Sequence, residues 1–172
     1  WTLDADGVLT ISGNGQMTNY SYNKRAPWYD WYKAKVTTVV VGDGVTSIGD
    51  WAFYECINLT SITLPDGVTS IGDSAFSYCS SLTSIEIPDS VTSIGSSAFY
   101  GCSNLTNIKI PDGVTSISSN AFADCSRLRR IELAGRHEVI ATGASDGCRS
   151  LTSIEIPDGV TSIGDNAFDG CS

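Results

Sequence analysis

Cys56, Cys79, Cys102, Cys125, Cys148 and Cys171 stand 23 residues apart and are all the cysteines of the chain. Pro65, Pro88 and Pro111 keep the same interval, and Pro157 follows two intervals later. A strict period of about 20 to 30 residues leaves little choice of fold, because one repeat is a supersecondary unit that cannot bury its apolar face alone. Such units stack. The expectation is a β-rich repeat solenoid over residues 36–172, made of six 23-residue repeats of which the last is incomplete, preceded by a hairpin and aromatic cap over residues 1–35.

Within the repeat, Leu-x-x-Ile-x-Ile-Pro (Leu59–Pro65, Leu82–Pro88, Leu105–Pro111, Leu151–Pro157) places two alternating apolar residues on one face of a strand. Proline ends the strand because it has no N–H to donate. Asp-Gly at Asp66-Gly67, Asp112-Gly113 and Asp158-Gly159 turns the chain, and Val-Thr-Ser-Ile-Gly, rich in β-branched residues, predicts a second short strand. Ala-Phe-x-x-Cys predicts a short helical or 3₁₀ turn with its Phe inside. Residues Trp1 to Gly15 alternate apolar and polar around Asp4-Ala5-Asp6-Gly7, the pattern of a hairpin. Asp4-x-Asp6-Gly7 lacks the downstream Glu of a calcium loop.

If the periodic positions hold the fold, specificity belongs to the positions the period leaves free. Between the two inward strand residues the chain runs Val40, Thr63, Glu86, Lys109, Glu132, Glu155, so charges of alternating sign would lie about 4.8 Å apart along the array. The fifth repeat departs from the rest. It has Arg129 and Arg130 where other repeats have Thr, Ser or Asn, Ala134 for Pro, His137 for Val and Ser145 for Phe, with Arg127, Arg136 and Arg149 nearby. Two readings stand: a basic patch for an anionic partner, or a decayed repeat with solvated charges. In the second, Val139 or Ile140 is expected to move inward to fill the place of the lost Phe.

Trp28, Tyr29, Trp31 and Tyr32 form a second candidate. They would either stack on sugars as a carbohydrate platform or cover the open end of the solenoid. A net charge of −9 opposes binding to a phosphate backbone, and no apolar run is long enough to insert in a membrane. The chain starts at Trp1 without an initiator Met and stops before a seventh strand, so a piece of a longer protein is expected.

Catalysis requires a convergent acid, base or nucleophile, and the single histidine, His137, has no partner by spacing. The cysteines lack the close pairs of a zinc site, and their Cβ vectors would point the same way in a stack. Free buried thiols are expected, with no metal and no cofactor. Asn58-Leu59-Thr60 and Asn104-Leu105-Thr106 match a glycosylation pattern but also the repeat consensus.

The unit from Ile85 to Leu105, I-x-I-P-D-x-V-T-S-I-G-x-x-A-F-x-x-C-x-x-L, resembles the BspA-type leucine-rich repeat, and the leader Trp1 to Gly13 with Pro27 to Asp30 is similar to the segment that precedes such repeats. The resemblance implies a right-handed superhelix with parallel strands, located outside the cell or on its surface, with an adhesive or binding role and no shared catalytic residues. Three functions follow. The first is a non-enzymatic module binding a protein through Glu86, Lys109, Arg129, Arg130, Glu132 and Glu155. The second is a carbohydrate-directed accessory module of a secreted hydrolase, and the third a passive spacer.

Overall fold

Alternating inward residues and a proline stop make two short strands per repeat, and stacking pairs each with its equivalent one coil away. The computed structural model describes residues 1–29, 35–133, 135 and 137–171. On the front, β2 (Val8–Ile11), β4 (Thr38–Val41) and β6 (Ser61–Thr63) form one ladder, and β9 (Asn107–Ile110), β11 (Arg130–Leu133) and β13 (Ser153–Ile154) a second. On the side, β3 (Gly15–Gln16), β5 (Val45–Ile48), β7 (Ser70–Ile71) and β8 (Ser93–Ile94) pair in sequence, then β10 (Ser116–Ile117), β12 (Val139–Ile140) and β14 (Ser162–Ile163). Every pairing is parallel except that of β1 (Thr2–Leu3) with β2.

The leader does more than cap. Leu9 and Ile11 of β2 pair with Val39 and Val41, and β3 pairs with β5, so residues 8–16 continue both ladders by one coil. Only β1 folds back along the edge. The offset from Val8 to Thr38 is 30 residues rather than 23, which hides this coil from a search for the period.

The third side is a ribbon of turns. Ala52, Tyr54 and Cys56 each donate N–H to the carbonyl three residues earlier, while the alternate residues Trp51, Phe53 and Glu55 donate to Asp73, Ala75 and Ser77 of the next coil. Left-handed backbone at Trp51 and Glu55, repeated in later coils, stops these 3₁₀-type turns from running on into helix. Half the amides therefore close the coil and half join it to its neighbour.

Inside, Phe53, Phe76, Phe99 and Phe122 stack with centroids 5.4, 5.4 and 5.7 Å apart. Trp28 continues the stack beyond Phe53 at 5.8 Å and donates its indole N–H to the Ala52 carbonyl at 2.7 Å. Four cysteine thiols reach back one coil: Cys79, Cys102, Cys125 and Cys148 donate to the carbonyls of Phe53, Phe76, Phe99 and Phe122 at 3.1–3.2 Å. No cysteine is in a disulfide, and burial pushes the Cys102 and Cys148 thiols up to about 12. Their role exceeds that of a small apolar filler, since each S–H meets a carbonyl that already accepts an amide.

Two places depart from the pattern. Gly72 and Gly95 face the preceding coil so closely that a Cβ would lie 2.3 and 2.5 Å from the Asp50 and Asp73 carboxylates. Those carboxylates accept the Asp73 and Ser96 amides. The equivalent residue in the next coil is Ser118, and there the side ladder is interrupted between β8 and β10. Ser118 uses its hydroxyl, at 2.5 Å, to reach the Ile94 carbonyl. Ala141 also carries a Cβ yet keeps its amide bond to Ile117, so the competing hydroxyl, not the added carbon alone, ends the pairing.

In the fifth repeat, His137 is fully buried in the valine column and Ser145 is buried in the phenylalanine column. The expected inward shift is not found: Val139 is 37% exposed and Ile140 keeps the place of Ile117. The layer thus holds a larger residue than valine at 137 and a smaller one than phenylalanine at 145. The backbone seam survives, with Gly143, Ser145 and Gly147 donating to Asp165, Ala167 and Asp169.

Candidate recognition surface

Threonine and serine line most of the front face because their hydroxyls extend the ladder. Thr60 donates both its amide and its hydroxyl to the Thr37 carbonyl, at 2.8 and 3.0 Å, and Thr106 does the same to Thr83. Arg129 keeps the amide bond, to Thr106 at 2.8 Å, but has no hydroxyl and extends into solvent. Arg130 pairs in register with Asn107 on one side and Ser153 on the other. Two small polar positions have become a pair of exposed guanidinium groups.

Glu132 lies opposite Lys109 in the ladder, as the column predicts. Its carboxylate, however, meets Arg130 of its own strand at 3.2 Å, since residues two apart share a face. With both side chains well exposed this pair is worth little, roughly 0–1 kcal/mol. Arg130, Glu132, Glu155 and Ser153 surround a depression of about 210 Å³ whose rim is completed by Ile131 and Leu133. The structure thus brings Lys109, Arg130, Glu132 and Glu155 onto one face, with Arg129 exposed immediately before β11. Glu86 is separate, beside a depression of about 290 Å³ lined by Ser61, Thr63 and Ser84 among others, where the front ladder is interrupted. Nothing in its local sequence explains that interruption, although the identical stretch Leu151–Asp158 also forms only the short β13.

The aromatic candidate divides differently. Trp28 is 3% exposed and Tyr29 6%, so neither ring offers a face on which a sugar could stack, and that part of the platform is corrected. Trp28 is held edge-on by Trp1 and Tyr20 as well as stacked on Phe53. Tyr29 donates its hydroxyl to Glu55 at 2.6 Å beneath the Arg25 guanidinium. Trp31 and Tyr32 lie outside the described residues, as does Arg136.

A further group escaped the sequence reading. On the turn side Tyr54, Tyr78 and Tyr100 follow one another at 5.7 and 5.2 Å, with Trp51 at 4.4 Å from Tyr54. The pair of residues between Phe and Cys held the signal. It contains an aromatic in the repeats ending at Cys56, Cys79 and Cys102, and an aspartate in the three that follow.

Among the described residues no group of three His, Cys, Asp or Glu side chains could hold a metal ion, and no helix is long and apolar enough to cross a membrane. The front face offers guanidinium, ammonium and carboxylate groups beside an apolar rim, the chemistry of recognition.

Comparison with known families matches residues 27–152 to six copies of the BspA type leucine rich repeat region. Among solved structures, a leucine rich repeat protein of T. pallidum is 31% identical with a TM-score of 0.79, the alignment covering 99% of this chain and 85% of that one. A leucine rich cell surface protein from Faecalibacterium prausnitzii is 36% identical with a TM-score of 0.78, covering 99% of this chain and 50% of that one. A leucine-rich repeat protein from Bacteroides ovatus is 28% identical with a TM-score of 0.66, covering 96% and 49% respectively. The present chain thus spans about half the length of the latter two. Comparison with curated proteins finds no match.

Proposed function

The chain belongs to the BspA-type leucine-rich repeat family, and from that premise we propose that it is a non-catalytic recognition module, displayed outside the cell or on its surface, that binds a protein partner through the front face of the fourth to sixth coils. One observation carries the reading. The departures of the fifth repeat leave Arg129 and Arg130 exposed, Arg130 lining the depression bounded by Glu132 and Glu155, at columns where other coils spend their side chains on the ladder. The cell-surface description of the F. prausnitzii neighbour supports the location. Charges of both signs beside an apolar rim suit a protein better than a polyanion, which only the positive groups would attract.

The test is a screen of the chain against bacterial and host extracellular proteins at two salt concentrations. A hit that weakens with salt and is lost in Arg129→Glu/Arg130→Glu, but not in the remote Asp66→Asn, supports the front face. Silence across the panel, or a hit indifferent to the arginines, sinks it.

A further inference from the structure

Consecutive coils lie about 4.8 Å apart, so aromatic residues in successive turns touch. Tyr54, Tyr78 and Tyr100 do so, and Tyr29 stacks on Tyr54 from the N-terminal side at 6.3 Å. Tyr78 is 41% exposed and lies against Gly101, where a Cβ would come within 2.8 Å of its ring. Its backbone is left-handed, φ 60°, at a column occupied in later coils by Gly101, Gly147 and Gly170. A bulky residue is strained in that conformation. The ridge keeps a large ring where glycine would sit more easily.

Two observations indicate what the ridge holds. Carboxylates flank it: Asp124 accepts the Tyr100 hydroxyl at 2.6 Å, Glu55 accepts that of Tyr29, and the Tyr54 phenol is raised by burial first and then by Glu55 and neighbouring tyrosines. One end also already seats a cation, for the Arg25 guanidinium lies 3.9 Å from the Tyr29 ring centroid and 5.0 Å from that of Tyr22. Guanidinium groups are planar, weakly hydrated and attracted to ring faces.

We infer that the ridge from Trp51 to Asp124 binds an extended, arginine-bearing segment of a protein partner, its guanidinium groups resting on Tyr54, Tyr78 and Tyr100 as Arg25 rests on Tyr29. This surface lies on the turn side, away from the front face, and goes beyond the reading given above. Arg127, whose guanidinium is bonded to Asn104 at 2.7 Å, and Arg149 follow the cysteines of the next coils, which bounds the acidic and aromatic stretch on its C-terminal side.

The probe is a labelled peptide of alternating Arg and Gly, about seven residues long so that it spans the stripe when extended, titrated into the whole chain by fluorescence anisotropy. Tyr54→Leu/Tyr78→Leu keeps apolar bulk, removes two ring faces and should weaken binding about five- to tenfold. Tyr78→Phe, which keeps the ring, should retain binding and guards against a misfolded double variant. Asp43→Asn/Asp66→Asn, on another corner, should change affinity by about twofold or less. Several outcomes overturn the proposal: no binding by the unmodified chain, equal loss in the leucine and asparagine variants, or a neutral oligosaccharide captured by the tyrosines in place of the peptide. Reversing Arg129 and Arg130 leaves this binding intact, so failure here and failure of the front-face reading are separate results.

Discussion

The coils through Phe122 and the coil that follows them, which ends at Cys148, share the turn-side backbone seam and differ in how they fill the centre. In the first, a phenylalanine stack capped by Trp28 occupies the centre and hydroxyl ladders run along the corners. In the second, histidine and serine replace valine and phenylalanine inside while arginines replace threonine and serine outside, yet the turn amides reach the next coil as before. The backbone seam, then, does not depend on which side chain fills the centre. The same seam accepts a histidine and a serine at buried positions where other coils hold valine and phenylalanine.

The sharpest way to break the comparison is to remove a ring from the regular region. Phe99→Ala, in the middle of the stack, should cost about 3–5 kcal/mol in urea unfolding, whereas Ser145→Ala at the equivalent place should cost no more than about 1 kcal/mol. Similar losses would mean that the fifth coil is packed as the others are. Next comes a test of whether positions 137 and 145 compensate in volume. Ser145→Phe alone overfills the layer and His137→Val alone empties it, so each should destabilise by about 1–3 kcal/mol, while the double variant recovers much of the loss. Simple additivity in the double-mutant cycle would show that the two positions do not compensate.

Smaller still is the effect at the coil contacts. Gly72→Ala must displace the Asp50 carboxylate from the Asp73 amide and should lower stability by roughly 1–2 kcal/mol. Ser118→Ala, which removes the competing hydroxyl, should raise it by a few tenths and strengthen amide protection across the interrupted ladder. The last prediction expects no difference between regions. Because the folded Cys102 and Cys148 thiols are raised above their unfolded values to about 12, their contribution is fully present below about pH 9 and lost as pH climbs from there. Both should resist a thiol reagent in the native state at neutral pH, with the partly exposed Cys171 reacting first. Early reaction at Cys148 would reveal a loosened fifth coil.

These contrasts show what the sequence makes legible. Columns that face the centre repeat because each meets its own copy one coil away, so Phe76, Leu82, Ile94 and Cys102 can be read from spacing alone. The leader coil cannot, because its 30-residue offset removes it from the period although Leu9 and Ile11 pack as the later residues do. The tyrosine ridge is obscured for another reason. Tyr54 and Tyr100 share a column while Tyr78 lies in the next, and only the turn geometry brings the three rings together. On the front face the column of Lys109 and Glu132 was readable, but not the turn of Glu132 towards Arg130, which depends on side-chain conformation.

The seams also bear on how such a chain can lengthen. Turn amides donate forward to the next coil, whereas corner amides and thiols donate back to the previous one, so each junction is bonded from both sides. A recombination event that slips by one whole period joins two half-seams already complementary, and the product inherits correct junctions throughout. A slip of any other length mismatches both sets of donors at once. Repeat number is therefore free to drift while repeat length is held, and a new surface can be carried into the array on a single inserted coil without disturbing those on either side.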